Sequence, residues 1–261
     1  MLKAVLFDLD HTLIDWDLAE PWEVYQRRRM IRLFEFVNRE LYALPHSSGD
    51  ILFEAFAATL SAAWQHGAQT FIAPNISLVL AEALMSCGVP EACIDIDAVL
   101  RVYDERPQID IRAYPDVIEV LPELRAHGLA LGIVTNASHP MTMRDRELEA
   151  AGILDLFPTC RIAAVDIGYI KPHRIIFEHA LTRLGIGPDE AVFVGDNLEA
   201  DVSGAQGVGM YGVLRVNDPD APATYAETDS SVIPDGTINT LHDLLPLLDG
   251  WYPGWRNGHT S

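Results

Sequence analysis

Lysine is nearly absent from this chain: of its 18 Lys and Arg residues, only Lys3 and Lys171 are lysines. With none between positions 4 and 170, that stretch cannot supply a Schiff base or any other lysine-dependent step. Cysteine is scarce as well. Cys87, Cys93 and Cys160 are odd in number and lack close pairing, which argues against a disulfide framework or a zinc site. Long apolar runs are missing, so no membrane span is expected. The first apolar run is too short for a signal peptide and stops at Asp8, and a reducing cytoplasm is the expected setting. Basic charge is short overall. Those 18 residues face 38 Asp and Glu, for a formal net charge of −20, which attracts cations and disfavours nucleic acid or anionic lipid as bulk partners.

What is present is enough apolar sequence for a sizeable core, 49% of 261 residues. Its most telling stretch is Val5-Leu6-Phe7-Asp8-Leu9-Asp10-His11-Thr12-Leu13, an apolar run that ends in two carboxylates. The run reads as a buried strand, and a period of two points Asp8 and Asp10 the same way at its carboxyl end. Acids so placed repel one another unless a cation or a shared proton intervenes.

From residue 112 onward, strands and helices alternate. Helices are expected over 115–127, 141–151 and 172–184, each closed by glycine (Gly128, Gly152, Gly185), and strands over 129–134, 161–165, 191–194 and 211–216. Alternation of this kind implies an α/β fold with a doubly wound, Rossmann-like parallel sheet. Residues 16–110 lack strands and fit helices near 21–43, 50–66, 75–87 and 91–105. The expected organisation is a core of 1–15 and 111–250, an inserted all-helical cap of 16–110, and a flexible tail of 251–261. One more helix is expected near 240–248 in the Asp-, Pro-, Thr- and Ser-rich region that begins at Asp218.

A parallel sheet brings four polar strand ends to one edge: Asp8 with Asp10, Thr135 with Asn136, Lys171 a few residues beyond its strand, and Asp196. Oxygen ligands, a hydroxyl and one ammonium suit Mg²⁺ beside a phosphoryl group. Singly, each has an ordinary structural account: a loop acid, turn chemistry after a strand, a helix start at Lys171-Pro172, a capped helix entry. Their order and convergence favour chemistry.

On these residues the chain resembles the haloacid dehalogenase-like hydrolase superfamily, in the subgroup with a helical C1-type cap after the first motif. The acid motif matches Asp8-Leu9-Asp10-His11-Thr12, the second motif Ile133-Val134-Thr135-Asn136, the third Lys171-Pro172, and the fourth Gly195-Asp196-Asn197 with Asp201. The resemblance implies that Asp8 attacks phosphorus to form an aspartyl-phosphate, and that Asp10 protonates the leaving oxygen and then activates water. It implies that Thr135 and Asn136 bind phosphoryl oxygens and that Lys171 neutralises charge on the phosphoryl group and Asp8. Mg²⁺ is then held by Asp8, the Asp10 carbonyl and Asp196. Thr12 and Asp201 stand behind this set, Asp201 orienting Lys171 or a metal-bound water.

The implied activity is a Mg²⁺-dependent phosphatase for a small phosphorylated metabolite. A sugar-phosphate mutase of the same superfamily uses both aspartates too, and a non-catalytic phosphate-binding protein on this fold is the reading from another class. Family dehalogenases lack the second aspartate, and the phosphonate-cleaving branch needs a cap lysine, which 16–110 does not contain. His11 replaces the Gly or Asn common in relatives, and Asp116 a common glycine. Arg27, Arg28, Arg29 and Arg32 read as a solvated helix face ahead of a contact for an anionic substrate, and Trp16 and Trp22 as pocket or packing residues near the join of core and cap.

Overall fold

Four consecutive apolar residues make the first strand, β1 (Ala4–Phe7), and all four are buried. A strand covered on both faces needs no alternation of apolar and polar side chains. The computed structural model describes residues 1–105, 108, 110–217 and 231–257. It divides into one unit of Met1–Asp17 with Ile111–Ser261 and a second of Leu18–Asp110. Strand β2 (Ile14–Asp15) closes the first segment of the first unit.

The second unit is helical: α1 (Trp22–Phe36), α2 (Gly49–Thr70), α3 (Ile76–Ser86) and α4 (Ile96–Tyr103), with no strand among its described residues. Short polar side chains start three of them. Ser48 accepts from the Ile51 N–H, Asn75 from Ser77 and Asp95 from Ala98, satisfying amides that a helix start leaves free. The expected helix over 91–105 begins later, at Ile96, because Asp95 is the cap and Glu91–Cys93 forms a separate 3₁₀ turn. Helix α1 passes at Phe36 into a π-helical turn, Val37–Leu41, and α2 outruns its expected end to reach Thr70.

Met30, Leu33, Leu52, Phe56, Leu80 and Tyr103 are fully buried within this unit. Arg29 corrects the reading of a solvated arginine face. Its Nε donates to the Tyr103 carbonyl at 2.7 Å, its guanidinium lies 3.5 Å from the Tyr103 ring centroid, and it is 3% exposed. Arg27 pairs with Asp50 and Glu54, and Arg28 with Glu20, so these charges tie the unit together.

The first unit resumes with β3 (Arg112–Ala113), antiparallel to β2. There follow α5 (Pro115–Ala126), β4 (Ala130–Thr135), α6 (Met141–Ala150), β5 (Cys160–Ala163), the short α7 (Ala164–Ile167), α8 (Arg174–Leu184), β6 (Ala191–Gly195), α9 (Gly204–Val208), β7 (Tyr211–Arg215), β8 (Gly236–Ile238) and α10 (Leu244–Trp251). The sheet runs β5-β4-β1-β6-β7-β8, with every neighbouring pair parallel. The chain thus winds outward from β1 on one side and then on the other, which opens a crevice at the carboxyl ends of β1, β4 and β6. This is the doubly wound α/β core.

Strand β8 was not expected; three residues without a long apolar run give little pattern to read. Helix α8 begins at Arg174 rather than at Pro172, with His173 as its cap. Asp116 accepts from Arg215 Nη2 (3.1 Å) and from the Leu241 N–H (2.6 Å), joining α5 to β7 and the carboxyl-terminal segment. The expectation of a loose tail from 251 fails for its described part. Trp251 stacks on Tyr211 at 4.5 Å, and Trp255 is 3% exposed with its indole N–H on Asp249. Two tryptophans bring more apolar area than an Asp- and Gly-containing stretch suggests, and burying it anchors the segment. The stretch 218–230 and residues 258–261 of that tail lie outside the described residues.

Candidate active site

Strand β1 stops at Phe7, and the Asp8 N–H makes one further bond, to the Val194 carbonyl at 2.9 Å. The period of two therefore ends there, and Asp10 belongs to a turn. His11 takes φ 58°, a left-handed conformation that favours glycine and is met by His more readily than by most side chains. This accounts for a residue that looked out of place in the motif. The turn is held from β7: Arg215 Nη1 donates to the Thr12 carbonyl at 3.0 Å, and Asn217 Nδ2 donates to the His11 carbonyl. Thr12 is fully buried, and its hydroxyl has no hydrogen-bond partner among the described residues.

Lys171 Nζ lies 2.5 Å from Asp8 Oδ1 and 2.6 Å from Asp201 Oδ1. Lys171 owes its place to Asn136, which accepts from the Lys171 N–H at 2.7 Å and donates to the Lys171 carbonyl at 3.2 Å. Asn136 was expected to bind phosphoryl oxygens. Its amide oxygen and one N–H of its amide nitrogen engage the Lys171 main chain, which leaves a second N–H. Thr135 is fully buried at the end of β4, with its hydroxyl 3.4 Å from Asp10 Oδ2.

Asp201 accepts the Asn197 N–H through Oδ2 at 3.0 Å, so each of its oxygens has a partner. Asn197 in turn accepts from Glu199 and Ala200, starting the turn that carries Asp201. Gly195 makes this close approach feasible, since a Cβ there would sit 2.2 Å from Asp201 Oδ2. Asp196 follows directly, and carboxylate oxygens of Asp8, Asp196 and Asp201 lie within 4.8 Å of one another.

Three acids and one ammonium leave this cluster net negative. Burial raises the Asp8 carboxyl well above the usual range; Lys171 opposes this and Asp201 and Asp196 reinforce it. Asp196 is pushed up to about 6, by burial first and then by Asp201. Lys171 is raised, because Asp201 and Asp8 outweigh a burial effect that would lower it. Uncompensated oxygen ligands of this kind fit a hard divalent cation.

Asp10 has different surroundings. Its Oδ1 accepts from Trp16 Nε1 at 2.8 Å and from Arg144 Nη2 at 2.5 Å. Burial would raise its carboxyl, but the Arg144 charge and hydrogen bonds from Arg144 and Trp16 outweigh that and lower it. Arg144 escaped the sequence reading, since Arg144-Asp145-Arg146-Glu147 in α6 looks like an exposed charged run. Trp16 stood out only by its position.

A family model described as haloacid dehalogenase-like hydrolase matches residues 2–209. The chain belongs to that family. Within it, the chain is 32% identical over 250 residues to a glyceraldehyde 3-phosphate phosphatase of Methanopyrus kandleri, covering 95% of this chain and 97% of that protein. It is 30% identical over 256 residues to a ribulose-1,5-bisphosphate 5-phosphatase of Halopiger xanaduensis, covering 95% and 100%. Among solved structures, the 2-haloacid dehalogenase of Pseudomonas syringae pv. Tomato DC3000 matches with a TM-score of 0.67 and 28% identity over 96% of this chain and all of that one. As a haloacid dehalogenase-like hydrolase, this protein is an enzyme. No helix among its described residues is long and apolar enough to cross a membrane.

Proposed function

We propose that the protein is a Mg²⁺-dependent phosphatase that hydrolyses a small phosphomonoester through an aspartyl-phosphate. Two near-full-length relatives, from Methanopyrus kandleri and Halopiger xanaduensis, are phosphatases by name, and phosphoric monoester hydrolysis is the activity of this chain. The observation that carries the finer reading is the Lys171 ammonium between Asp8 and Asp201, with Asp196 beside them.

A phosphate dianion approaching the Asp8 carboxylate meets like charge, and the ammonium at 2.5 Å offsets part of it. Asp8 and Asp196 would hold Mg²⁺ together with the Asp10 carbonyl, and its positive charge would screen the rest of that repulsion. Asp8 attacks phosphorus, the bond to the leaving oxygen breaks, and that oxygen takes a proton from Asp10. Asp10, now a carboxylate, draws a proton from the water that hydrolyses the acyl-phosphate. Thr135 contributes its hydroxyl to phosphoryl oxygens, while Asn136 and Asp201 hold Lys171 on target. A halide leaves without a proton, so a dehalogenase would give Asp10 no work.

Three-carbon and five-carbon sugar phosphates name the substrates of the two relatives above, and a phosphoserine phosphatase of Thermus thermophilus is 31% identical over 239 residues. They support a small, soluble metabolite as substrate. A net charge of −20 disfavours nucleic acid, and three free cysteines suit a reducing cytoplasm.

Exchange of Asp8 for Asn tests the nucleophile. D8N is expected to fold and to lose Mg²⁺-dependent release of p-nitrophenol from p-nitrophenyl phosphate. Turnover retained by purified D8N overturns the assignment.

A further inference from the structure

Arg144 is a buried charge with no obvious structural task. Its side chain is 10% exposed, and Nε has no hydrogen-bond partner among the described residues. The start of α6 is fixed independently, by the Met141 N–H on Asp166 at 2.9 Å, and Leu148 supplies apolar anchoring. Burying a guanidinium costs free energy unless its partner needs it there. Its Nη1 pairs with Glu147 at 2.8 Å on the same helix, and its Nη2 reaches Asp10 at 2.5 Å. Its guanidinium carbon lies 5.8 Å from the centroid of the Trp16 ring, and the Trp16 indole N–H bonds the same Asp10 oxygen.

The two oxygens of Asp10 are therefore unequal. Oδ1 accepts two N–H donors and so has both lone pairs occupied, and a proton placed there would collide with them. Among the described residues, Oδ2 has only the Thr135 hydroxyl at 3.4 Å, the outer limit of a hydrogen bond. We propose that Arg144 and Trp16 are positioning residues for Asp10, which hold Oδ1 from two directions and leave Oδ2 as the oxygen turned to the leaving group and then to the attacking water. This rests on the reading of Asp10 as the general acid.

The chemistry closes. As an Asp8 oxygen bonds to phosphorus, the P–O bond to the leaving group breaks and its electron pair stays on the leaving oxygen. That oxygen takes the proton from Oδ2. Asp10 is left as a carboxylate, whose charge meets Arg144. In the second half-reaction, the attacking water returns a proton to Oδ2.

Leaving-group dependence separates this role from mere structural support. An alkoxide needs the proton as it departs; p-nitrophenolate does not. For R144M, kcat/KM toward an alkyl phosphate such as glycerol phosphate should fall about tenfold or more, with p-nitrophenyl phosphate changing by about twofold at most. W16F keeps an aromatic ring, though a smaller one, and removes one donor, and should show the same split in weaker form. If R144M does not fold, W16F decides. An equal loss on both substrates, or no loss on either, overturns the proposal. D10N is the control for the underlying reading. If D10N shows the split and R144M and W16F do not, the clamp fails alone; if D10N shows no split, the general-acid reading itself fails.

Discussion

The ammonium of Lys171 and the carboxylate of Asp8 meet at 2.5 Å with both side chains almost wholly buried, 2% and 8% exposed. Asp201 completes the arrangement from the other side. Removing one member of such a set is more damaging than its net worth suggests, because the others stay buried and uncompensated.

Lys171→Met should therefore lower unfolding free energy by about 3–5 kcal/mol. Any folded fraction should lose activity by on the order of 10²–10³ in kcat, the scale for removing one donor to a transition-state charge. Urea denaturation and p-nitrophenyl phosphate turnover on the same preparation read the two effects. A stable, fully active variant would contradict the role given to this ammonium.

Gly195 tests the same cluster without touching a charge. A methyl at Gly195 meets Asp201 Oδ2 at 2.2 Å, so Asp201 must shift away from Lys171 or the strand must move. Gly195→Ala should cost about 1–3 kcal/mol, the range for overpacking, and reduce turnover. Gly207→Ala is the control, since a Cβ there meets nothing within 4 Å. In helix α9 it should be neutral or stabilising by up to about 1 kcal/mol. Equal outcomes for the two alanines would remove Gly195 from the argument.

The core was legible in the sequence because its signals are local. A run such as Ala4–Phe7 can only be buried, and glycines at 128, 152 and 185 close their helices in the left-handed conformation that their spacing suggested. Asp8, Thr135 and Asp196, each at the end of a core strand, were legible for the same reason. What hides is side-chain direction. Nothing along the chain says that Asn136 turns to the Lys171 backbone, that Arg144 turns inward from a charged run, or that Arg29 is buried while Arg27 is not. Such facts follow from tertiary packing, which selects one face of a helix whose pattern is ambiguous. Strand β8 and the anchored Trp255 were hidden by brevity, since three residues or one ring make no period.

Removal of divalent cations should have a pH signature. Asp8 and Asp196 hold protons more tightly in the metal-free fold than in an unfolded chain, Asp196 with a value of about 6 against 3.8. A raised carboxyl destabilises the fold where it is ionised. That cost is present above about pH 6 and fades as protonation proceeds toward pH 4. Mg²⁺ competes with those protons, so its stabilising effect must grow as they leave. Thermal melting with EDTA or with excess Mg²⁺ should give a larger shift at pH 8 than at pH 5. Equal shifts at the two pH values would argue that these carboxylates do not take the cation.

Arg215 carries the last prediction, because it couples the acid turn to the rest of the sheet. It donates to the Thr12 carbonyl at 3.0 Å, pairs with Asp116 at 3.0 Å, bonds Asn217 Oδ1 at 2.7 Å and lies 4.4 Å from the Tyr114 ring. Asn217 reaches the His11 carbonyl, so losing Arg215 loosens two successive carbonyls of the turn that presents Asp10. Arg215→Met should cost about 3–5 kcal/mol, since Asp116 stays buried without its partner. Asp116→Leu should cost less when combined with Arg215→Met than when made alone, with a coupling of about 0.5–3 kcal/mol in a double-mutant cycle. Turnover of the folded single variant should fall by on the order of tenfold, as a misplaced acid loses its alignment with the leaving oxygen. Strict additivity in the cycle would show that Asp116 and Arg215 act separately, and unchanged turnover in R215M would show that the turn holds its shape without them.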